Sequence, residues 1–142
     1  MAGFPVGGLV YTTSVSRLLP WLGEKGLMIG GGALMASQLV VIGFGPPWPV
    51  QLASFVVLGC GFYMIHGSLQ VFVSEISIEA RGTAVAMHAF CFFLGQTAGP
   101  IAYGFGILHA GKVPTLLAAA VLMLALGFVC ARLLQHEHAA TR

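Results

Sequence analysis

Long runs of uncharged, mostly apolar residues alternate with short polar segments along the whole chain. Four runs are long enough for a helix across a bilayer core about 30 Å thick, which needs roughly 20 residues, and a shorter fifth run lies near residue 1. The predicted spans are residues 4–16, 27–45, 50–74, 83–108 and 113–131. Because the runs are continuous rather than alternating, they favour helices over a β-barrel.

The connections between the spans are short and contain most of the charges and prolines. They are residues 17–26, the proline-rich 46–49, the charged 75–81 and the turn 109–112, with a polar tail over 132–142. Proline lacks the backbone donor that a helix interior needs, so three prolines in a row of four residues end a helix.

Composition supports a membrane protein. Hydrophobic residues make up 58% of the chain and charged residues 7%, against about 25% charged in a soluble domain. The net charge of +2 comes without a basic cluster, so nucleic acid is not predicted as a partner. The predicted fold class is all-α, a polytopic transmembrane bundle of five spans in a lipid bilayer, with residues 1–142 as one domain.

The distribution of basic residues predicts an orientation. If the loops alternate sides, five of the six Lys and Arg residues share one side and Lys112 lies on the other. The five are Arg17, Lys25, Arg81, Arg132 and Arg142. The positive-inside rule makes the richer side cytoplasmic. We therefore expect a multi-pass protein of the plasma (inner) membrane with a cytoplasmic C-terminus.

Polar side chains inside the third and fourth spans are candidate functional residues. Tyr63, His66 and Gln70 fall within about 60° of one another on one helix face. His88 and Gln96 share a stripe on the next span. Histidine titrates near neutrality, so either histidine is a candidate for a proton pathway or an anionic substrate. The alternative is that each only hydrogen-bonds a neighbouring helix.

The fourth span also contains a small-residue motif. Gly95 and Gly99 form a small-x-x-x-small face that lets two helix backbones approach closely. Pro100 removes one backbone hydrogen bond and can kink the helix. The pattern indicates an interface that moves or, alternatively, plain tight packing. Residues 27–45 and 113–131 contain few polar groups and are predicted to be peripheral helices that face lipid.

Residue types needed for several other functions are missing. The chain contains no Asp for a catalytic triad and no phosphate-binding glycine loop. Cys60, Cys91 and Cys130 stand alone in apolar runs, without metal-binding spacing. We therefore expect no enzyme activity, no cofactor and no metal site.

Three segments resemble one transporter family. Residues 16–25, SRLLPWLGEK, contain Arg17 and Gly23 between two glycine-rich spans, and Arg81-Gly82 stands in the segment EARGTA, residues 79–84. The third segment runs from Gly95 to Pro100 and is followed by Gly104. They are similar, in order, to the loop between helices 8 and 9, the start of helix 11, and the G-x-x-x-G-P motif of helix 5, the repeat partner of helix 11, in the major facilitator superfamily.

The resemblance departs from the family at two points and covers helices 8 to 12. Ser16 stands where the loop motif has Asp, and the Gly-Gly that ends the helix 5 motif is absent. The resemblance implies that helix 10 lines the cavity, helix 11 lies between the two halves, and helices 9 and 12 face lipid. The chain is then expected to be the C-terminal portion of a secondary transporter, with the missing N-terminal helices as its partner.

The function implied is transmembrane transport of a small-molecule substrate, by proton-coupled efflux. Because no Asp or Glu lies inside a span, a proton carrier in this portion must be His66 or His88. Two alternatives stay open. One is a small non-catalytic membrane protein or assembly subunit. The other is a haem-binding redox subunit, with His66 and His88 as axial ligands on facing helices.

Overall fold

The computed structural model describes residues 3–75 and 80–134. These parts contain helices and no strand, which confirms the all-α fold class. The four helices are α1 (Gly3–Gly43), α2 (Trp48–Glu75), α3 (Arg81–Ala110) and α4 (Lys112–Leu133). Each is long and apolar enough to cross a membrane, so the chain fits a multi-pass membrane protein.

Helix α1 consists of two arms, residues 3–22 and 24–43, joined at Gly23. Gly23 has φ 65° and ψ 174°, a backbone conformation that is essentially restricted to glycine. The first arm runs parallel to α2, because Gly3 lies against Leu52 and Gly8 lies against Tyr63.

The second arm runs the opposite way along the same helix. Gly31 packs on Gly61, and Ile42 lies near Phe55 beside a small cavity. The residue numbers of the α2 partners thus increase along the first arm and decrease along the second. A chain that follows one helix in both directions must reverse, and Gly23 is the non-helical residue between the two arms.

The connection predicted over residues 17–26 is shorter than expected. Helical structure continues through Pro20, and the described backbone leaves helical geometry only at Gly23. Pro20 lies near the end of the first arm, so its missing N–H removes one hydrogen bond close to a terminus rather than in mid-helix.

The other two described turns follow the sequence prediction. The chain leaves α1 through Gly45, with φ 66°, and α2 begins after Pro47, whose carbonyl accepts the Gln51 N–H at 3.1 Å. Gly111, with φ 90°, is the single residue between α3 and α4. The Thr115 hydroxyl donates to the Gly111 carbonyl at 2.8 Å and stabilises the first turn of α4.

The second arm of α1 is the centre of packing, not a peripheral helix. Leu27 and Met28 are its most buried large side chains, each 1% exposed. A Cβ added at Gly32 would lie 3.2 Å from the Gly127 Cα of α4. Close approach between helices in a membrane depends on small residues at the crossing, so glycine rather than polar content places this arm between α2 and α4.

Helix α3 lies at the edge of the bundle. Among the described residues, none in α3 is buried. It meets α2 through His88 and Phe92, and α4 through Gly106 beside Thr115. The span with the polar stripe is therefore the most exposed helix of the described chain.

Most basic residues lie at one end of the bundle. The first arm, α2 and α4 all run towards the Gly23 end, where Met28 packs with Cys130 and Leu69. The basic residues at this end are Arg17, Lys25, Arg81 and Arg132, and Lys112 lies at the opposite end. Arg142 and the rest of the tail after residue 134 lie outside the described residues.

Candidate functional site: a cavity beside two histidines

A cavity of about 600 Å³ lies between the second arm of α1 and helices α2, α3 and α4. Most of the lining is apolar, and its polar groups come from α2 and α3. The aliphatic and methionine side chains are Met35, Ile65, Leu69, Met123 and Leu126, and the other lining residues are Phe62, His66, His88, Cys91, Phe92, Gly95 and Gln96. Its volume is in the range of sites that take drug-sized ligands.

Two pairs of rings meet where α2 and α3 cross. Phe62 and His66 are four residues apart on α2, and so are His88 and Phe92 on α3, so each pair lies on one helix face. The His66 and His88 ring centroids are 5.6 Å apart, with the planes at 30°. His66 also stacks on Phe62 at 5.2 Å and contacts Phe92 at 4.7 Å. The four rings form a compact aromatic cluster.

One nitrogen of this cluster has no partner among the described residues. His88 Nε2 is buried and makes no hydrogen bond there. A buried polar atom without a partner costs about 1–3 kcal/mol, and most such atoms in proteins are satisfied. His88 Nε2 therefore needs a hydrogen-bond partner that the described side chains do not supply.

A second cavity of about 390 Å³ lies on the other side of the ring cluster, towards the Gly23 end. Gln70 and Ser74 contribute to its lining. His66, His88 and Phe92 line both cavities, so these three side chains form the partition between them.

The polar residues predicted on α2 are divided between different surroundings. His66 lies at the large cavity with His88 and Gln96, whereas Gln70 lies only at the smaller one. The Tyr63 ring points to the first arm of α1 and lies 6.0 Å from the Phe4 ring. Three of the five predicted pathway residues thus come together at the large cavity.

The glycines of α3 have no close neighbour. A Cβ added at Gly95, Gly99 or Gly104 would meet no described atom within 4 Å, and the helix continues through Pro100. Only Gly95 of this group lines the large cavity. Close helix packing at this motif therefore stays a prediction, because the described chain offers no partner helix there.

The predicted loop residues have different structural roles. Gly23 is the turn of α1, and Arg17 is exposed six residues before it. Arg81 Nε donates a 2.7 Å hydrogen bond to the Ser74 carbonyl near the C-terminal end of α2. A cation at that end satisfies a carbonyl and favours the helix dipole. A Cβ added at Gly82 would meet no described atom within 4 Å, and residue 79 of the same motif lies outside the described residues.

Sequence reasoning missed several residues of the cavity. Phe62 and Phe92 had a detectable signal, since each lies four residues from a histidine on the same helix. Met35 and Met123 had none, because they belong to helices whose composition indicated lipid contact. Only the packing of the second arm against α2 and α4 brings these thioethers to the cavity.

The described residues contain no group of three or more His, Cys, Asp or Glu side chains that could hold a metal ion. The histidines of the tail, 136 and 138, are outside that part of the chain. Comparison with protein-family models, curated proteins and solved structures gives no match.

Proposed function

We propose that this chain is the C-terminal portion of a secondary transporter of the major facilitator type, which moves a small solute by proton-coupled efflux. The observation that carries the proposal is the large cavity between apolar helices, with His66, His88 and Gln96 at its edge. Polar side chains at membrane depth are costly, and they are found mainly where they bind a solute, carry a proton or contact another helix.

The path of α1 supports five membrane crossings. Each arm has about 20 residues, which is the length needed to cross a bilayer core. With the reversal at Gly23, the two arms and the three further helices cross the bilayer in alternating directions. Four of the five Lys and Arg residues in the described chain then lie on one side, and the positive-inside rule makes that side cytoplasmic.

The exposure of α3 supports a further set of helices beside it. Its polar and glycine stripe has no described neighbour, whereas secondary transporters of this type place such helices between two halves that rock about a central site. The N-terminal helices expected from the resemblance would cover this face. The same observation favours the alternative, a non-catalytic membrane or assembly subunit, because that too requires a partner.

A dye-efflux assay distinguishes a transporter from a non-catalytic assembly subunit. Cells that express the natural gene and cells that lack it are loaded with uncharged Nile red, cationic ethidium or anionic fluorescein, and fluorescence is followed after energisation. Faster loss of one dye in expressing cells, abolished by a protonophore, is expected. A chain that reaches the membrane but changes the efflux of none of the three dyes would count against transport and favour the assembly subunit.

A further inference from the structure

The described linings of both cavities are free of full charges. No Asp, Glu, Lys or Arg side chain lines either one. An ion held at membrane depth without a charged partner pays a large desolvation cost. A permanently charged ligand would therefore find no oppositely charged side chain in these cavities. An uncharged ligand needs no such partner.

The remaining lining suits a flat aromatic body. Phe62 and Phe92 line the cavity from α2 and α3, and Met35 and Met123 line it from the second arm and α4. Aromatic rings pair favourably with other rings, and methionine sulfur makes favourable contacts with ring edges. The unbranched methionine side chains also adapt to ligands of different outline.

One hydrogen-bonding position completes the lining. His88 Nε2 has no partner among the described residues, and the His88 ring borders the large cavity. Because this nitrogen is buried, a hydrogen bond from it to a ligand requires the ring to turn about its side-chain bonds. The Gln96 amide, on the same helix and at the same cavity, offers a second donor and acceptor.

The cavity also has an access route along α3. Cys91, Gly95 and Gln96 line it and are exposed at the edge of the bundle. In the transporter proposed above, the N-terminal helices lie beside this edge, so a ligand enters the cavity between those helices and α3.

We propose that the large cavity binds an uncharged aromatic molecule of drug size, which packs on Phe62 and Phe92 and hydrogen-bonds to His88 Nε2. The proposal rests on the proposed function, since it names the substrate class of that site. Binding itself needs no transport, so the two are tested separately.

Photolabelling tests the site on the purified chain in lipid nanodiscs. The probe is tritiated 4-benzoylbenzamide, an uncharged aromatic amide that inserts into nearby C–H bonds on illumination. Mass spectrometry then locates the adducts. We expect labelling at Met35 or Met123 that excess benzanilide suppresses. Met87, which is 66% exposed, is the internal control for probe dissolved in lipid.

A pair of matched variants adds a steric test. Gly95 and Gly99 lie one turn apart on α3 with open space around both, but only Gly95 lines the cavity. Gly95→Leu fills part of the cavity and should reduce the suppressible labelling several-fold, whereas Gly99→Leu should leave it unchanged. His88→Phe keeps an aromatic ring at this position but removes Nε2. It should weaken the affinity for benzanilide about three- to tenfold.

The outcomes are separable. Labelling confined to Met87, or labelling of Met35 and Met123 that benzanilide does not suppress, overturns the proposal even if the variants fail to fold, because the wild-type chain decides it. Suppressible labelling without dye efflux supports the binding site and counts against the transport function. Efflux without suppressible labelling leaves the transport function standing and overturns this ligand class.

Discussion

The imidazole rings of His66 and His88 lie 5.6 Å apart, although 22 positions separate them in the sequence. Each histidine is flanked on its own helix by a phenylalanine one turn away, Phe62 on α2 and Phe92 on α3. The contact sets the antiparallel register of the two helices and separates the two cavities. Both consequences can be tested without knowledge of the substrate.

The register predicts a specific cross-link. With the three native cysteines changed to serine, the double variant His66→Cys, His88→Cys should be bridged in high yield by a methane-linked bis-thiosulfonate. After proteolysis between α2 and α3, a cross-linked chain keeps its two fragments in a single band on a denaturing gel, and the yield of that band is measured. The pair His66→Cys, His109→Cys is the control, because His109 lies near the opposite end of α3 and should not be bridged. Equal yields for both pairs would contradict the register.

The crossing of the second arm with α4 predicts a difference between two glycines. A Cβ at Gly32 would lie 2.8 Å from the Met123 carbonyl oxygen and 3.2 Å from the Gly127 Cα. Gly32→Ala should lower the free energy of unfolding by about 1–3 kcal/mol, since backbone must move to admit the methyl group. Circular dichroism during thermal unfolding in detergent measures it.

The control for that experiment is Gly99→Ala, where a Cβ meets no described atom within 4 Å. It gains helix propensity without a clash and should be neutral or stabilising by up to about 1 kcal/mol. If Gly99→Ala were the more destabilising change in the purified chain, the packing assigned to the two glycines would be wrong.

The turn in α1 predicts that a residue with a Cβ at position 23 would strain the backbone. Its φ of 65° and ψ of 174° are unfavourable for any residue with a Cβ, so Gly23→Ala should cost about 1–3 kcal/mol of unfolding free energy. Gly30→Ala is the matched control in the same helix, because the nearest atom to its Cβ is the flexible Met64 methyl at 3.4 Å. A neutral Gly23→Ala in the same thermal assay would argue against a reversal at this residue.

Five crossings predict opposite accessibility for the two tryptophans. Trp21 is 92% exposed beside the Gly23 turn, and Trp48 is 76% exposed at the other end of the bundle. In a cysteine-free background, Trp48→Cys should react with a membrane-impermeant maleimide in intact cells. Trp21→Cys should react only after permeabilisation. Labelling of both in intact cells would exclude the proposed topology.

Proton coupling through His66 predicts a change in the pH dependence of efflux. Wild-type efflux should accelerate when the outside is made acid, because an inward proton gradient drives it. His66→Gln keeps hydrogen-bonding capacity but cannot take up a proton, so the efflux rate should lose most of this dependence. His109→Gln is the control, since His109 lines neither the large cavity nor the smaller one and contacts Phe105. An unchanged profile in His66→Gln would remove the coupling role.

The glycines show how much of the helix packing could be predicted from the sequence. Gly95-x-x-x-Gly99 has the spacing of a helix contact, yet the described chain leaves it open. Gly32 and Gly127 form a tight crossing, although they are 95 positions apart and belong to helices predicted to face lipid. Spacing within one helix shows that a close approach is possible, but it does not say which helix approaches.

The sequence by itself determined that this protein is a bundle of long apolar helices, with breaks at the proline-rich residues 46–49 and at the polar segments 75–81 and 109–112. That information is local: in an apolar solvent the backbone must satisfy its own hydrogen bonds, so each uncharged run of sufficient length becomes a helix. Only the tertiary structure decided that Gly23 reverses α1, that the second arm lies at the centre, and that His66 and His88 share a cavity with Met35 and Met123. These relationships depend on how all the helix surfaces fit together, and no single segment of the chain specifies them.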